Sequence, residues 1–350
     1  MRISLPELLV IGFILVLIFG TKRLSGAARR ASQLGRAGWR RVWVTNPVTR
    51  QQEFTLMTVS KEIAIGRQSD AEVRQKWGIY GDQALQQYVD EIGHKLTGAS
   101  HRPDLPWHFT IVDDAAPNAF AAPGGYVYIT RGLMAYLNDE AELATVLGHE
   151  MGHVTARHTA RLYTREHGVQ AGLWLAKILW PAARPVGGLA NKGLDLLLLS
   201  YGRDAELEAD RLSVEYAARS GWDPAGLPRI LTTLARIHTP DGSDLVNWLS
   251  SHPPASERVA ELQDNVDTLQ KRARETRRDH YRRRIQGLAF GDNPGDRMDF
   301  HAVRAGDTWE SIAQRVCHGR VAATTLAIMN GYPVKKPPSA DDQIKIIVGA

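Results

Sequence analysis

Apolar residues recur along this chain in several distinct patterns, and each predicts a different element. Leu8 to Phe19 is unbroken apolar sequence except for Gly12. Extended from Ile3 to Gly20, it nears the shortest length that spans a bilayer as a helix. Leu24, Ala27, Ala28, Ala31, Leu34 and Gly38 then return at helical spacing, with arginines on the opposite side. That is the pattern of a helix lying on anionic headgroups. Further on, Asn138-Asp139-Glu140-Ala141-Glu142 opens a helix: Asp139 and Glu142 have capping-box spacing, and Leu143, Val146, Leu147 and Val154 supply a buried face. Arg203 to Asp210 lies in another helical stretch that ends at Gly221. Tyr126 to Thr130 alternates after Pro123-Gly124-Gly125 and predicts a strand, either an edge with which an extended substrate pairs, the favoured reading, or a plain core strand. Val169 to Trp180 is apolar, but Lys177, Pro181, Arg184 and Lys192 interrupt it, so a helical hairpin over the cleft or at the membrane surface is expected rather than a span.

Composition narrows the picture. The chain has 350 residues, 43% hydrophobic and 23% charged, which suits one large folded domain plus something smaller. Its formal charge of +5 is local: Lys22, Arg23, Arg29, Arg30, Arg36, Arg40 and Arg41 fall together with no acid before Glu53. Those seven cations exceed the whole net charge, so no nucleic-acid partner is expected for the main domain. The basic run from Lys271 to Arg284 is interleaved with Glu275 and Asp279 and predicts a solvated helix face. Cys317 is the single cysteine, which excludes an intramolecular disulfide and a cysteine-based zinc site. Only Arg2 charges the extreme N-terminus and no convincing small-x-small cleavage site follows, so a retained anchor is favoured over a cleaved signal.

The candidate chemistry lies in His149-Glu150-Met151-Gly152-His153, an H-E-x-x-H sequence inside a predicted helix. Residues i and i+4 share a helix face, so both imidazoles converge on one point, as zinc requires, and Glu150 can reach a metal-bound water. Gly148 and Gly152 cost helix propensity, roughly 1 kcal/mol each, which implies close approach of another element or of a metal. A third ligand is available in Glu206, leaving Asp210 to accept a hydrogen bond from a ligand imidazole. Glu208 is the rival, but on a helix it points about 160° from Asp210. Alone, this stretch better describes a salt-bridged surface, with Arg203 and Arg211 beside it; beside H-E-x-x-H that reading loses.

G-H-E-x-G-H followed by R-x-x-E-x-E-A-D resembles the peptidase family of CAAX-prenyl endopeptidases, HtpX heat-shock proteases and BepA-type proteases. Asn118 to Ile129 is similar to that family's N-A-F-A-x-P-G-G strand, and Ser251-His252-Pro253-Pro254 with Glu257-Arg258 to its S-H-P loop. The likeness runs from about Asn46 to about Asp292. It implies an α+β fold: a mainly helical zincin-type (gluzincin) metallopeptidase domain with a small β-sheet. It also implies one Zn²⁺ held by His149, His153 and Glu206, Glu150 as general base, and protein substrates. Two roles stay open for His252: a hydrogen bond to the tetrahedral intermediate, or occupation of the open zinc position, as a similar histidine does in BepA-type relatives.

Two flanking resemblances complete the organisation. Leu5 to Ile11 and Phe19 to Leu24 are similar to the start of TatA-type translocase subunits, which join a short membrane helix to an amphipathic one. After Gly287 to Arg297, read as a turn-rich linker, Phe300 to Ala313 and Leu326 to Gly331 resemble a LysM domain, with Ile344 to Val348 as closing strand. That implies a small βααβ module and peptidoglycan as a partner. The expected order is a transmembrane anchor over 1–20, a basic amphipathic helix over 21–43, a zinc metallopeptidase domain over 44–290 and the LysM-like domain over 298–350. The expected function is a single-pass, inner-membrane-anchored zinc endopeptidase acting on misfolded or envelope proteins. The alternatives are a latent client-binding assembly factor on the same fold and a translocase-associated protein. The basic cluster favours a cytoplasmic catalytic domain and the LysM-like module a periplasmic one; the balance falls on the periplasm.

Overall fold

The computed structural model describes residues 43–166, 201–237, 252, 258, 262–263, 266–267 and 275–349. The expected anchor, the amphipathic helix up to residue 42 and the apolar stretch 169–180 lie outside the described residues. Among the described residues no helix is long and apolar enough to cross a membrane.

The chain enters through a hairpin, β1 (Trp43–Thr45) and β2 (Gln52–Phe54). Two helices follow, α1 (Val59–Trp77) and α2 (Gln83–Thr97), capped at their N-termini by Thr58 and Asp82. A three-stranded sheet comes next: β3 (His108–Val112), β4 (Ala119–Ala122) and β5 (Tyr126–Thr130). Its order is β3-β5-β4, with β3 parallel and β4 antiparallel to β5.

That order corrects one expectation. β5 is the central strand, bonded on both sides and buried along its whole length, so it offers no edge to a substrate. The free edge belongs to β4, whose outer side bonds to no described strand and which packs against the helix carrying the motif.

After the short α3 (Arg131–Tyr136), that helix is α4 (Glu140–Thr155). Asp139 caps it by accepting from Glu142 N at 2.9 Å. Glu142 reaches back to Asn138 N at 2.7 Å, one residue before the N-cap, so the box is displaced by one position. Instead of one buried face, every residue of α4 is buried. The sheet lies on one side, α5 (Arg203–Arg219) on another and α6 (Gly226–Leu234) on a third. The two glycines make this possible. A Cβ at Gly152 would stand 3.0 Å from Ala209 Cα, and one at Gly148 3.3 Å from Ser213 Cα. Helix α5 thus lies in a notch cut into α4.

The C-terminal part runs α7 (Arg278–Ile285), β6 (Asp296–Ala302), α8 (Trp309–Arg315), α9 (Ala323–Met329) and β7 (Gln343–Gly349). β6 and β7 pair antiparallel around the two short helices. Asn330, in the turn after α9, bonds both the N–H and the carbonyl of Lys345 and so fixes β7. This part shares one hydrophobic core with the rest of the protein. Lys345 is buried and donates to the carbonyls of Ala135 and Leu137, 2.8 Å each, capping α3 from across the junction. The turn-rich segment 287–297 is no loose tether: Gly287 N bonds Met298 O, Met298 N bonds Leu288 O, and Arg131 holds the carbonyls of Ala289 and Gly291.

Candidate active site

Two helices and one loop residue build the site. His149 and His153, one turn apart on α4, bring their Nε2 atoms within 3.1 Å of each other. From α5, the Glu206 carboxylate faces both, at 3.6 Å from His149 Nε2 and 3.5 Å from His153 Nε2. His252 joins them: its Nδ1 is 3.0 Å from each Glu206 oxygen and 3.3 Å from His149 Nε2. All four side chains are buried, and their donor atoms lie within 4.8 Å of one another. Glu150, buried between the two α4 histidines, points Oε1 toward His252 Nε2 at 3.6 Å.

Three imidazoles and a carboxylate converging away from water form a set that can hold a cation. Imidazole nitrogens with one carboxylate suit a borderline divalent transition ion, so the residues present fit a metal cofactor. The carboxylates pull this buried site toward positive charge, carried either by a proton or by a metal ion. Burial works against a charged His149, but the Asp210 and Glu206 carboxylates outweigh it and lift its pKa to about 9. Burial, reinforced by His149, His158 and His252, pushes His153 well below the usual imidazole range against the pull of Glu206. Burial also opposes charge on Glu206, yet His252, His149 and His153 hold its carboxyl far below the ordinary value.

The outer nitrogens of both α4 histidines are held in turn. Asp210 stands 2.9 Å from His149 Nδ1. It also receives two N–H groups from Arg258, at 2.7 and 2.8 Å, and Arg258 lies 3.1 Å from Glu206 Oε2. Arg258 and His149 keep Asp210 ionised in spite of its burial. On the other side, His153 Nδ1 is 2.8 Å from His158 Nδ1, and His158 Nε2 is 3.1 Å from Glu208 Oε2. Glu208 also meets Arg161 at 3.2 Å. Tyr201 stacks on the His153 ring at 4.1 Å, its hydroxyl on Thr159.

These contacts fix a chain of tautomers. With the His153 Nε2 lone pair facing the centre, Nδ1 carries the proton and donates to His158. His158 must then carry its own proton on Nε2, where Glu208 accepts it. Glu208, the sequence-level rival to Glu206, therefore serves a neighbour of the cluster rather than the cluster itself.

The structure brings His149, Glu150, His153, Glu206, Asp210 and His252 into one site. Sequence reasoning gave no role to Arg258, His158 or Tyr201. Arg258 lies 48 residues from its carboxylate partner; its only sequence signal was its place shortly after Ser251-His252-Pro253. His158 follows a break that periodicity cannot foresee: α4 ends at Thr155, and Arg157 takes a left-handed φ of 62°. Arg157 is held there by Glu62 at 2.6 Å and by Met57 O at 2.6 Å. Of the loop around His252, only His252 and Arg258 are among the described residues.

Comparison with known proteins bears on both ends of the chain. Residues 83–266 match the model of peptidase family M48, and residues 1–37 that of the mttA/Hcf106 family. The beta-barrel assembly-enhancing protease of Yersinia pestis is 30% identical over 250 residues, covering 67% of this chain and 50% of that protein. Mitochondrial metalloendopeptidase OMA1 of Arabidopsis thaliana is 31% identical over 191 residues, 52% of this chain and 37% of that protein. Metalloprotease YcaL of Escherichia coli K12 is 28% identical over 205 residues, 57% of this chain and 74% of that protein. The chain thus spans about half the length of the first of these relatives.

Proposed function

The chain belongs to peptidase family M48, and from that membership we propose that it is a membrane-anchored, zinc-dependent endopeptidase acting on misfolded or envelope proteins. The observation that carries the reading is the buried convergence of His149, His153 and Glu206 beside Glu150. Those three side chains are the ligands. Zinc bound by such a set supplies Lewis acidity, which acidifies water and polarises a carbonyl. Glu150 takes the proton from the attacking water and returns it to the departing amine. Asp210 and His158 orient the two imidazoles, Arg258 keeps Asp210 charged, and the burial of the cluster excludes bulk water. The outer side of β4, beside α4 and bonded to no described strand, is where an extended substrate pairs once the cover over this buried strand gives way.

A second reading has its own support. His252 stands among the ligands, 3.0 Å from both Glu206 oxygens, where a substrate group would approach. This arrangement is a latent state in which the protein binds clients, and His252 must withdraw before hydrolysis. Casein degradation separates the two readings. The wild type cleaves and Glu150→Gln does not if the first holds; His252→Ala raises a low wild-type rate if the second holds. Equal inertness of all three chains would defeat the hydrolytic proposal.

The flanks extend it. The match at 1–37 supports an anchor over 1–20 and a surface helix from 21 up to β1, which already includes Trp43, on an inner membrane; the LysM-like module and the likeness to the assembly-enhancing protease favour the periplasmic side for the peptidase domain that follows, over 44–290. The match also leaves room for a translocase-associated role, which cross-linking of the N-terminal segment to translocase subunits tests. The β6-α8-α9-β7 order, with Thr308 capping α8 and Asn330 locking β7, supports a LysM-like module over 298–350 that binds peptidoglycan. A peptidoglycan pull-down tests the module, and dual topology reporters fused after Ala350 test the side.

A further inference from the structure

Exposed large hydrophobic side chains are unevenly placed in this protein. Among the described residues they are Trp43, Phe54, Leu56, Val59 and Val334, each 36–45% exposed. The first four fall within one short stretch at the start of the peptidase domain. Trp43 and Phe54 are register partners across the β1–β2 hairpin, their rings meeting edge to face at 5.8 Å. The stretch is firmly held from beneath. Asn46 bonds Glu53 and the carbonyl of Ala156, just past the end of α4, and Leu56 N bonds Thr164. The side chains are therefore presented outward from an anchored backbone. Isolated surface apolar residues need no explanation, but a cluster marks a contact surface.

Four side chains are far fewer than the roughly 20–30 residues per side of a stable protein interface. They suffice where something else already holds the chain in place, since tethering converts weak contacts into intramolecular ones. The preceding residues supply that tether. The patch starts two residues after Arg41, the last of seven cations that follow the apolar run Leu8 to Phe19. Trp and Phe suit the headgroup–acyl boundary, and the exposed cations Arg50 and Lys61 flank them as anionic lipid demands.

We infer that Trp43, Phe54, Leu56 and Val59 form an interfacial lipid contact that lays this corner of the peptidase domain on the bilayer. The inference rests on the anchored reading of residues 1–42. Through Asn46 and Ala156 the contact fixes the height and tilt of the metal helix above the membrane, which restricts substrates to segments close to the surface.

The test uses the full chain reconstituted in vesicles of phosphatidylethanolamine with a minority of phosphatidylglycerol. An environment-sensitive fluorophore is placed at Phe54→Cys, and in separate samples at Val59→Cys and at Val334→Cys, the equally exposed site on the C-terminal module. The wild-type chain, whose only cysteine is buried, serves as the labelling blank. The labels at 54 and 59 should be quenched by shallow nitroxide lipids and be at least about threefold less accessible to aqueous iodide than the label at 334. Iodide access equal to that at 334 overturns the inference. So does protection from iodide without lipid quenching, which would mean that protein covers the patch. A chain that fails to float with the vesicles defeats the anchor as well, whereas one that floats with unquenched labels defeats the patch alone.

Discussion

Arg258 lays two N–H groups on the carboxylate of Asp210, and both side chains are buried. Arginine does not deprotonate in a protein, so removing it strands Asp210 and Glu206 as buried anions. Arg258→Leu should cost about 3–5 kcal/mol of stability, the usual penalty for one half of a broken buried pair. Arg258→Lys should restore little, because an ammonium cannot reproduce the planar two-point contact. Urea melts of the two variants check this, and a Lys variant as stable as wild type would contradict it.

On the other flank, His158→Phe keeps the ring volume but removes the acceptor for His153 Nδ1–H. Metal affinity, measured by competition with a chelator, should fall about 10- to 100-fold. His158→Asn offers an amide oxygen at the same place and should recover part of the loss. Glu208→Ala, which frees the His158 tautomer, should fall between wild type and His158→Phe. Unchanged affinity in a folded His158→Phe chain would remove His158 from the site.

Helix propensity and packing make opposite forecasts for Gly152→Ala. Propensity alone promises a gain of roughly 1 kcal/mol. The new Cβ, however, would sit 3.0 Å from Ala209 Cα and 3.1 Å from its carbonyl oxygen. Backbone cannot yield as a side chain can, so a net loss of about 1–3 kcal/mol is expected. Thermal denaturation decides the sign.

Chelation should lower the melting temperature, and added zinc should restore it in proportion to the logarithm of free metal. Glu150→Gln should keep that response, since the proposed mechanism makes Glu150 a base and not a ligand. His149→Ala should lose it. A Glu150→Gln chain indifferent to metal would reassign Glu150.

Lys345 gives a pH dependence. Burial brings its pKa from 10.5 down to about 7, against the pull of Glu142, while burial and Asp139 raise Glu142 to about 7. Between about 7 and 10.5 the unfolded chain binds the Lys345 proton and the folded chain does not, so this group makes stability rise with pH. Between 4.5 and about 7 the folded chain retains the Glu142 proton, so stability falls with pH. Urea midpoints should therefore pass through a shallow minimum near neutrality, and Lys345→Met should abolish the rise on the alkaline side.

How much of this was legible beforehand depends on distance along the chain. The α4 and α5 donors were legible because residues four apart on a helix face one way, and His149, His153, Glu206 and Asp210 all obey that rule. The cost of Gly148 and Gly152 signalled a close approach, but only the structure decides that it is another helix rather than a metal. What escaped depended on pairings that no local period encodes. The central place of β5 is a matter of strand order, which puts β3 on one side and β4 on the other. His158 depends on a left-handed residue held by Glu62, from a helix nearly a hundred positions upstream. The segment 287–297 has the composition of a free linker and is instead tied down by Arg131.

The paired glycines of α4 also act as a caliper. The gap between the two helices is set by backbone meeting backbone at Gly152 and Ala209, and the spacing between the imidazoles and the Glu206 carboxylate is set with it. A single methyl group inserted there would prise the jaws apart while leaving every ligand chemically intact. The span offered to an ion there is thus set by the absence of side chains as much as by their presence.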